Sequence, residues 1–370
     1  MVGADLFLWP ARMAAEASRA AAGLMAEMAG LGQAAEEPAS AWATPHTVRL
    51  TLEALILRDY SADPSPADVP TLVIAPYALH HATLADFAEG HSLMAALQAG
   101  GVRRLFLAEW RSATPAMRLL SVDNLLADLN VAVDELGGRV RLVGLCQGGW
   151  MALVYAARFP AKVDRIVVAG APVDTTAAAS ALATSARATP LGLFEGMVDA
   201  GGGRVLGEGI TQAWVGATGA VGADDALMLD PADTTAETAA LRRRFEAWTA
   251  RTVDLPGRFF LDSVAWIFQE NRLPAGTFPA LGRPADLAAI RCPVRLVAAA
   301  DDEVVAPAQV FAAGRVLGTP ASDVQAMVVP GRHLGLFMGR RTLAEAWPAL
   351  AAFLAEPTPT RRRKPQRSNT

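Results

Sequence analysis

Arg141–Gly170 reads RLVGLCQGGWMALVYAARFPAKVDRIVVAG, and it decides the fold. Leu142-Val143-Gly144-Leu145 is an apolar run of the kind a buried strand needs. Cys146-Gln147-Gly148-Gly149 follows, then helical spacing to Phe159, then a second apolar run at Ile166–Ala169. Strand, sharp turn, helix and strand make one βαβ unit. At the turn, Gly144-Leu145-Cys146-Gln147-Gly148 is a G-x-C-x-G, the nucleophile-elbow pattern with cysteine in the place of serine. A nucleophile on such an elbow adopts a strained backbone, and the flanking glycines let strand and helix cross closely. The elbow also aims the next N–H, that of Gln147, at a developing oxyanion. The alternative is a buried structural cysteine beside a glycine turn.

Working outward, Thr71–Ala75 is another continuous apolar run, and Val102–Ala108 and Val48–Leu57 read as further strands. The loop Pro76–Thr83 joins the first of these to a helix expected from Leu84. In the α/β-hydrolase architecture this loop supplies the second oxyanion N–H, which places that donor on the backbone of Tyr77, Ala78 or Leu79. His80, His81 and Trp110 are candidates for the substrate pocket; local hydrogen bonding or packing would explain them as well. Ser121–Leu136 reads as a capped helix stopped by Gly137-Gly138. From about Thr175 to Arg283 the chain is rich in Ala, Gly and Thr, with helical spacing strongest at Leu191–Val198 and Phe245–Phe268. Strand character returns at Cys292–Ala300 and Ala326–Val329, and a last helix is expected over Thr342–Ala355.

The order is elbow cysteine, an acid after a late strand, and a histidine after the final strand, which is the nucleophile, acid, base order of this fold. Of five histidines only His333 follows the elbow. It is the candidate base, with Asp302 favoured over Asp301 to orient it, and Cys146 is the candidate nucleophile. Cys292, ahead of a proline at a strand start, reads as inert core. No His or Cys cluster has metal-ligand spacing, so the expected reaction needs no metal or bound cofactor.

The predicted organisation is an amphipathic helix and linker over 1–37 and an α/β-hydrolase core in two parts, 38–174 and 286–356. A helical cap over 175–285 separates them, and a basic tail over 357–370 ends the chain. Its central sheet is expected to be mostly parallel, with helices on both faces. The chain has 370 residues, 52% of them hydrophobic, and a net charge of −4, which offers nothing to nucleic acid. Two cysteines exclude a disulfide framework and fit a reducing, cytoplasmic compartment. No apolar run is long enough for a transmembrane segment. The N-terminus also lacks the basic start and cleavage site of a secretory signal. Oligomeric state has no signature here.

Taken together, these stretches resemble the polyhydroxyalkanoate enzymes, the cysteine-dependent synthases and intracellular depolymerases. The resemblance spans about residues 70 to 356. Gly144–Gly149 is similar to the lipase-like box of the synthases, and Ala171-Pro172-Val173-Asp174 matches a phrase of both groups. Pro76–Leu84, Asp254-Leu255-Pro256 with Phe260, Phe268–Gly276 and Gly331–Arg341 are closer to the depolymerases. The resemblance implies a Cys146–His333–Asp302 triad and a 3-hydroxyacyl thioester on Cys146. The leading expectation is an intracellular polyhydroxybutyrate depolymerase acting on storage granules. The alternatives are a synthase using 3-hydroxyacyl-coenzyme A, another esterase, or a non-catalytic granule-surface binding protein. Coenzyme A would then be an acyl donor or acceptor.

Overall fold

A computed structural model describes residues 42–65, 68–210 and 221–357. The N-terminal helix expected over 1–37 and nearly all of the expected basic tail lie outside the described residues. Eight strands form one sheet: β1 Thr47–Thr51, β2 Leu55–Asp59, β3 Thr71–Ile74, β4 Leu105–Trp110, β5 Val140–Leu145, β6 Val163–Ala169, β7 Val294–Ala299 and β8 Val324–Val329. Their order is β1-β2-β4-β3-β5-β6-β7-β8. The pairs β1–β2 and β2–β4 are antiparallel and every other pair is parallel. This is the mostly parallel sheet of the α/β-hydrolase fold.

The central strands β3, β5 and β6 are buried at every position, which is why Leu72–Ile74, Leu142–Leu145 and Ile166–Ala169 appear in sequence as apolar runs. Helices cover both faces. On one side Val122–Glu135 (α1) and Gln147–Arg158 (α2) pack with β5 in a core that includes Leu125, Leu129, Trp150 and Leu153. On the other, Trp347–Ala355 packs with Leu93, Leu97, Val143 and Val167. The registers Ile74↔Gly144, Leu145↔Ala169 and Ala299↔Val329 bring the carboxyl ends of five parallel strands to one edge of the sheet. Ligand sites of open α/β sheets gather at that edge.

Several boundaries differ from expectation. Val48–Leu57 is a hairpin rather than one strand, because the chain turns at Leu52, whose N–H donates to Leu55 C=O (2.7 Å). No long helix starts at Leu84: a short 3₁₀ turn, Ala82–Ala85, precedes the helix Leu93–Ala99, which Ser92 caps through its hydroxyl. The helical signal over Phe245–Phe268 is broken. A helix ends at Thr249, Leu255-Pro256 pairs with Arg204-Val205, and Gly257–Ser263 resumes a helical path. The last helix is split at Ala346, with Pro348 in the first turn of its second piece. Among the described residues, no helix is long and apolar enough to cross a membrane.

Candidate active site

At the end of β5 the chain makes its elbow. Cys146 has φ 50° and ψ −119°, a region that a non-glycine residue enters only under constraint, and α2 begins at the next residue. The glycines permit the crossing. A Cβ on Gly144 would lie 2.6 Å from Gly148 O, and one on Gly149 would lie 2.5 Å from Ala171 Cβ. Gly148 passes directly against the carbonyls of Ile74 and Ala75, which locks the elbow to the end of β3. Gln147 is the first helical residue, so its N–H has no intrahelical acceptor and is free for an oxyanion. The N-terminal end of α2 also favours negative charge at this point.

Asp302 and His333 come from the loops after β7 and β8. The Asp302 side chain is fully buried. Its Oδ1 accepts from the N–H groups of Val304 (2.9 Å) and Val305 (2.7 Å), and its Oδ2 lies 2.8 Å from His333 Nδ1. Two backbone donors thus fix the carboxylate before it meets the imidazole. Burial disfavours the charged imidazole, but the Asp302 carboxylate and then the Cys146 side chain outweigh it and hold the His333 pKa well above its ordinary value. With Nδ1 held by Asp302, the buried Nε2 is the ring nitrogen left for the Cys146 side chain. Gly170 lies against the ring: its φ is +61°, and a Cβ there would stand 3.1 Å from His333 Cε1. Glu303, absent from the expected site, receives the His333 backbone N–H (3.2 Å) and Arg332 Nε (3.3 Å) on one carboxylate oxygen.

Above Cys146 lies an apolar cavity of about 130 Å³. Its floor includes Ala78, Leu79, Cys146 and Gln147, and Val304 and Val305 form a side. Much of the remaining wall comes from between β6 and β7, including Leu182, Phe194, Met197, Phe260 and Phe268. Leu182, Phe194 and Met197 carry no sequence signature beyond being apolar, whereas Phe260 and Phe268 belong to stretches that resemble the depolymerases. Trp150, one turn into α2, also contributes.

Other expected site residues stand elsewhere. Ala78 and Leu79 line the cavity, but Tyr77 does not: its ring is stacked between Trp110 and Phe259 and its hydroxyl donates to Arg111 C=O (2.7 Å). Trp110 is not a substrate wall. It is part of β4, buried, with Nε1 donating to Ala75 C=O (3.0 Å). His81 faces away from the cavity and pairs through Nε2 with Glu109 Oε1 (2.8 Å). His80 packs on Trp248 at 4.7 Å between ring centroids, and burial pushes its pKa down to about 4, so it is a neutral packing residue. Cys292 is distant in sequence and role, its thiol pushed up by burial to about 12.

With this geometry in view, the chain compares with known proteins as follows. Residues 223–358 match a family model described as the PHB de-polymerase C-terminus, and residues 42–200 match a family of unknown function. The poly(3-hydroxyalkanoate) polymerase subunit PhaC of Synechocystis sp. is 29% identical over 79% of this chain and 79% of its own length. The subunit of the same name from Allochromatium vinosum is 27% identical over 79% of this chain and 82% of its own. Among solved structures, an N-acyl homoserine lactone degrading enzyme, Est816, superposes with a TM-score of 0.52 at 14% identity, covering 84% of this chain and 100% of that one. A Pseudomonas aeruginosa hydrolase gives 0.52 at 16% identity over 84% and 98%. The chain is an enzyme of the α/β-hydrolase fold whose sequence relatives are polyhydroxyalkanoate enzymes.

Proposed function

We propose that this enzyme is an acyltransferase of the polyhydroxyalkanoate polymerase kind, taking 3-hydroxyacyl groups from coenzyme A thioesters through an acyl-Cys146 intermediate. The observation that carries this reading is a thiol at the elbow of a chain whose matched relatives over about four fifths of its length are named polymerases. Cysteine suits such chemistry: the acyl group moves from one thioester to another at little energetic cost, and the enzyme-bound thioester stays reactive towards a hydroxyl. This reverses the leading expectation of a depolymerase.

In the proposed cycle His333 Nε2 takes the Cys146 proton and the sulfur attacks the acyl carbonyl. The oxyanion is received by the N–H of Gln147 and by the Ala78–Leu79 backbone. Collapse expels the coenzyme A thiolate, which leaves with the proton from His333. The hydroxyl of a growing chain then gives its proton to His333 and takes the acyl group, releasing Cys146. A cavity of about 130 Å³ is near the ~150 Å³ that accepts one benzene, a molecule of about six heavy atoms like a 3-hydroxybutyryl group. That size favours short acyl groups.

A second reading, the depolymerase, is favoured by the family match over residues 223–358, which includes Asp302 and His333. It would use the same nucleophile and base with water or a thiol as acceptor. One experiment separates them: the purified enzyme is given 3-hydroxybutyryl-coenzyme A, or amorphous poly(3-hydroxybutyrate) granules with and without coenzyme A. Release of free coenzyme A with polymer formation, lost in Cys146→Ala, is the expected result. Soluble 3-hydroxybutyrate from granules, with no coenzyme A released from the thioester, would establish the depolymerase instead.

A further inference from the structure

The loop that carries His333 has a second feature, which the acyl-transfer cycle does not use. Gly331, Gly335 and Gly339 all face the side chain of Met228. A Cβ on Gly335 would stand 3.0 Å from Met228 Cε, with every other neighbour at 3.9 Å. A Cβ on Gly339 would lie 2.6 Å from Gly335 O and 2.9 Å from Met228 Sδ, and one on Gly331 would overlap Met228 Cε outright. Three missing side chains make a socket, and the methionine is its knob. Thr342 Oγ1 adds a weak contact to the sulfur at 3.6 Å.

Met228 reaches the socket from an unusual backbone. It ends the short helix Ala223–Leu227 in the left-handed conformation, φ 55° and ψ 49°, a place that usually falls to glycine or asparagine. A residue with a long side chain there presents that side chain at a fixed angle. Ala226 and Leu227 are fully buried beside it, in the same apolar cluster as Leu336 and Phe337. The same segment touches the loop again through Arg332, which lies 3.5 Å from Asp225 Oδ2 and 3.3 Å from the Glu303 oxygen that also holds the His333 N–H. Asp302 and the Cys146 side chain both act on the His333 ring, so the placement of its loop sets how closely imidazole and thiol meet.

We propose that Met228 is a positioning residue for the base: seated among the three glycines, it holds the His333 loop in register with Cys146, so the short helix Ala223–Leu227 and Met228 must be in place for thiol and imidazole to meet. This rests on the reading of Cys146 and His333 as nucleophile and base. Methionine suits the task because its flexible, polarizable side chain adapts to a narrow gap.

The test needs no substrate. Alkylation of Cys146 by iodoacetamide is followed by mass spectrometry across pH, with the two cysteines resolved as separate peptides; half-buried Cys292, with its thiol pushed up to about 12, reacts little. Met228→Ala is expected to slow the reaction about tenfold near pH 6, towards the rate of His333→Gln, and to leave it unchanged near pH 9.5, where any exposed thiol is ionised. In ester hydrolysis the same variant should lower kcat with little change in KM, and Met228→Leu should recover most of the loss. Gly335→Val should reproduce the defect and be rescued in the Met228→Ala background, which general destabilisation would not do. A Met228→Ala profile that overlays the wild type while His333→Gln differs overturns the proposal. So does failure of rescue in the Gly335→Val, Met228→Ala pair, which also decides the matter if Met228→Ala alone does not fold. Identical profiles for the wild type and His333→Gln would instead remove the base assignment itself.

Discussion

Replacing Asp302 by asparagine removes one charge and almost no volume from a fully buried position. In the native protein Oδ1 accepts from Val304 N–H (2.9 Å) and Val305 N–H (2.7 Å), and Oδ2 faces His333 Nδ1 (2.8 Å). An asparagine oxygen can keep the two backbone donors, which leaves its NH₂ facing Nδ1. Nδ1 must then accept, the proton moves to Nε2, and His333 presents a donor where it has to take the thiol proton. By analogy with the same substitution in a serine protease triad, turnover should fall by about 10⁴, or about 5.4 kcal/mol of transition-state stabilisation. Stability should change far less. Weakening of the charge-assisted bonds is offset by the smaller cost of burying a neutral amide, for a net loss within about 2 kcal/mol. The sign with pH follows from His333, whose pKa stands well above the unfolded value of about 6.5. A raised folded pKa gives stability that is complete below the unfolded pKa and lost as pH rises through the folded one. The gap in Tm between wild type and Asp302→Asn should therefore be widest near or below about pH 6 and narrow on the alkaline side. Butyrate ester hydrolysis and thermal unfolding across pH are the assays. Turnover within about tenfold of the wild type, with the fold intact, would refute the assignment of Asp302 as the orienting acid.

Further expectations follow from individual contacts. Gly149→Ala puts a Cβ 2.5 Å from Ala171 Cβ and 3.1 Å from Val168 Cγ1; the overpacking should cost about 1–3 kcal/mol, read as a lower midpoint in urea unfolding. His80 is held neutral, with a pKa near 4, so its contribution to stability is present above about pH 6.5 and is lost as the pH falls towards 4. His80→Phe should accordingly flatten the acid limb of a Tm against pH curve; an unchanged limb would place the acid sensitivity elsewhere. Phe260→Ala should enlarge the cavity and raise the octanoate-to-butyrate ratio of ester turnover by about tenfold, since each methylene in an apolar pocket is worth about 1–3 kcal/mol. A ratio that does not move would mean that the acyl chain lies elsewhere.

Sequence alone determined most of the sheet and the order in which Cys146, Asp302 and His333 follow its strands. Buried parallel strands have no solvent face, so Thr71–Ala75, Leu142–Leu145 and Ile166–Ala169 show as continuous apolar runs, and the glycines around Cys146 mark the only backbone path that lets strand and helix cross. The lone histidine after the elbow had few competitors, so Cys146, Asp302 and His333 could be named before any coordinates. Local pattern was a poorer guide where neighbours decide the outcome. His80, His81, Tyr77 and Trp110 follow strand ends just as site residues do, yet each has a closer partner: Trp248 for His80, Glu109 for His81, and Phe259 and Ala75 for the two large rings. Only tertiary structure could draw Phe194, Met197 and Phe260 over Cys146, or set Met228 among Gly331, Gly335 and Gly339 about a hundred residues away. A motif is legible when one stretch of backbone needs particular residues. A wall or a socket is built from generic side chains, and their meaning comes from what faces them across the fold.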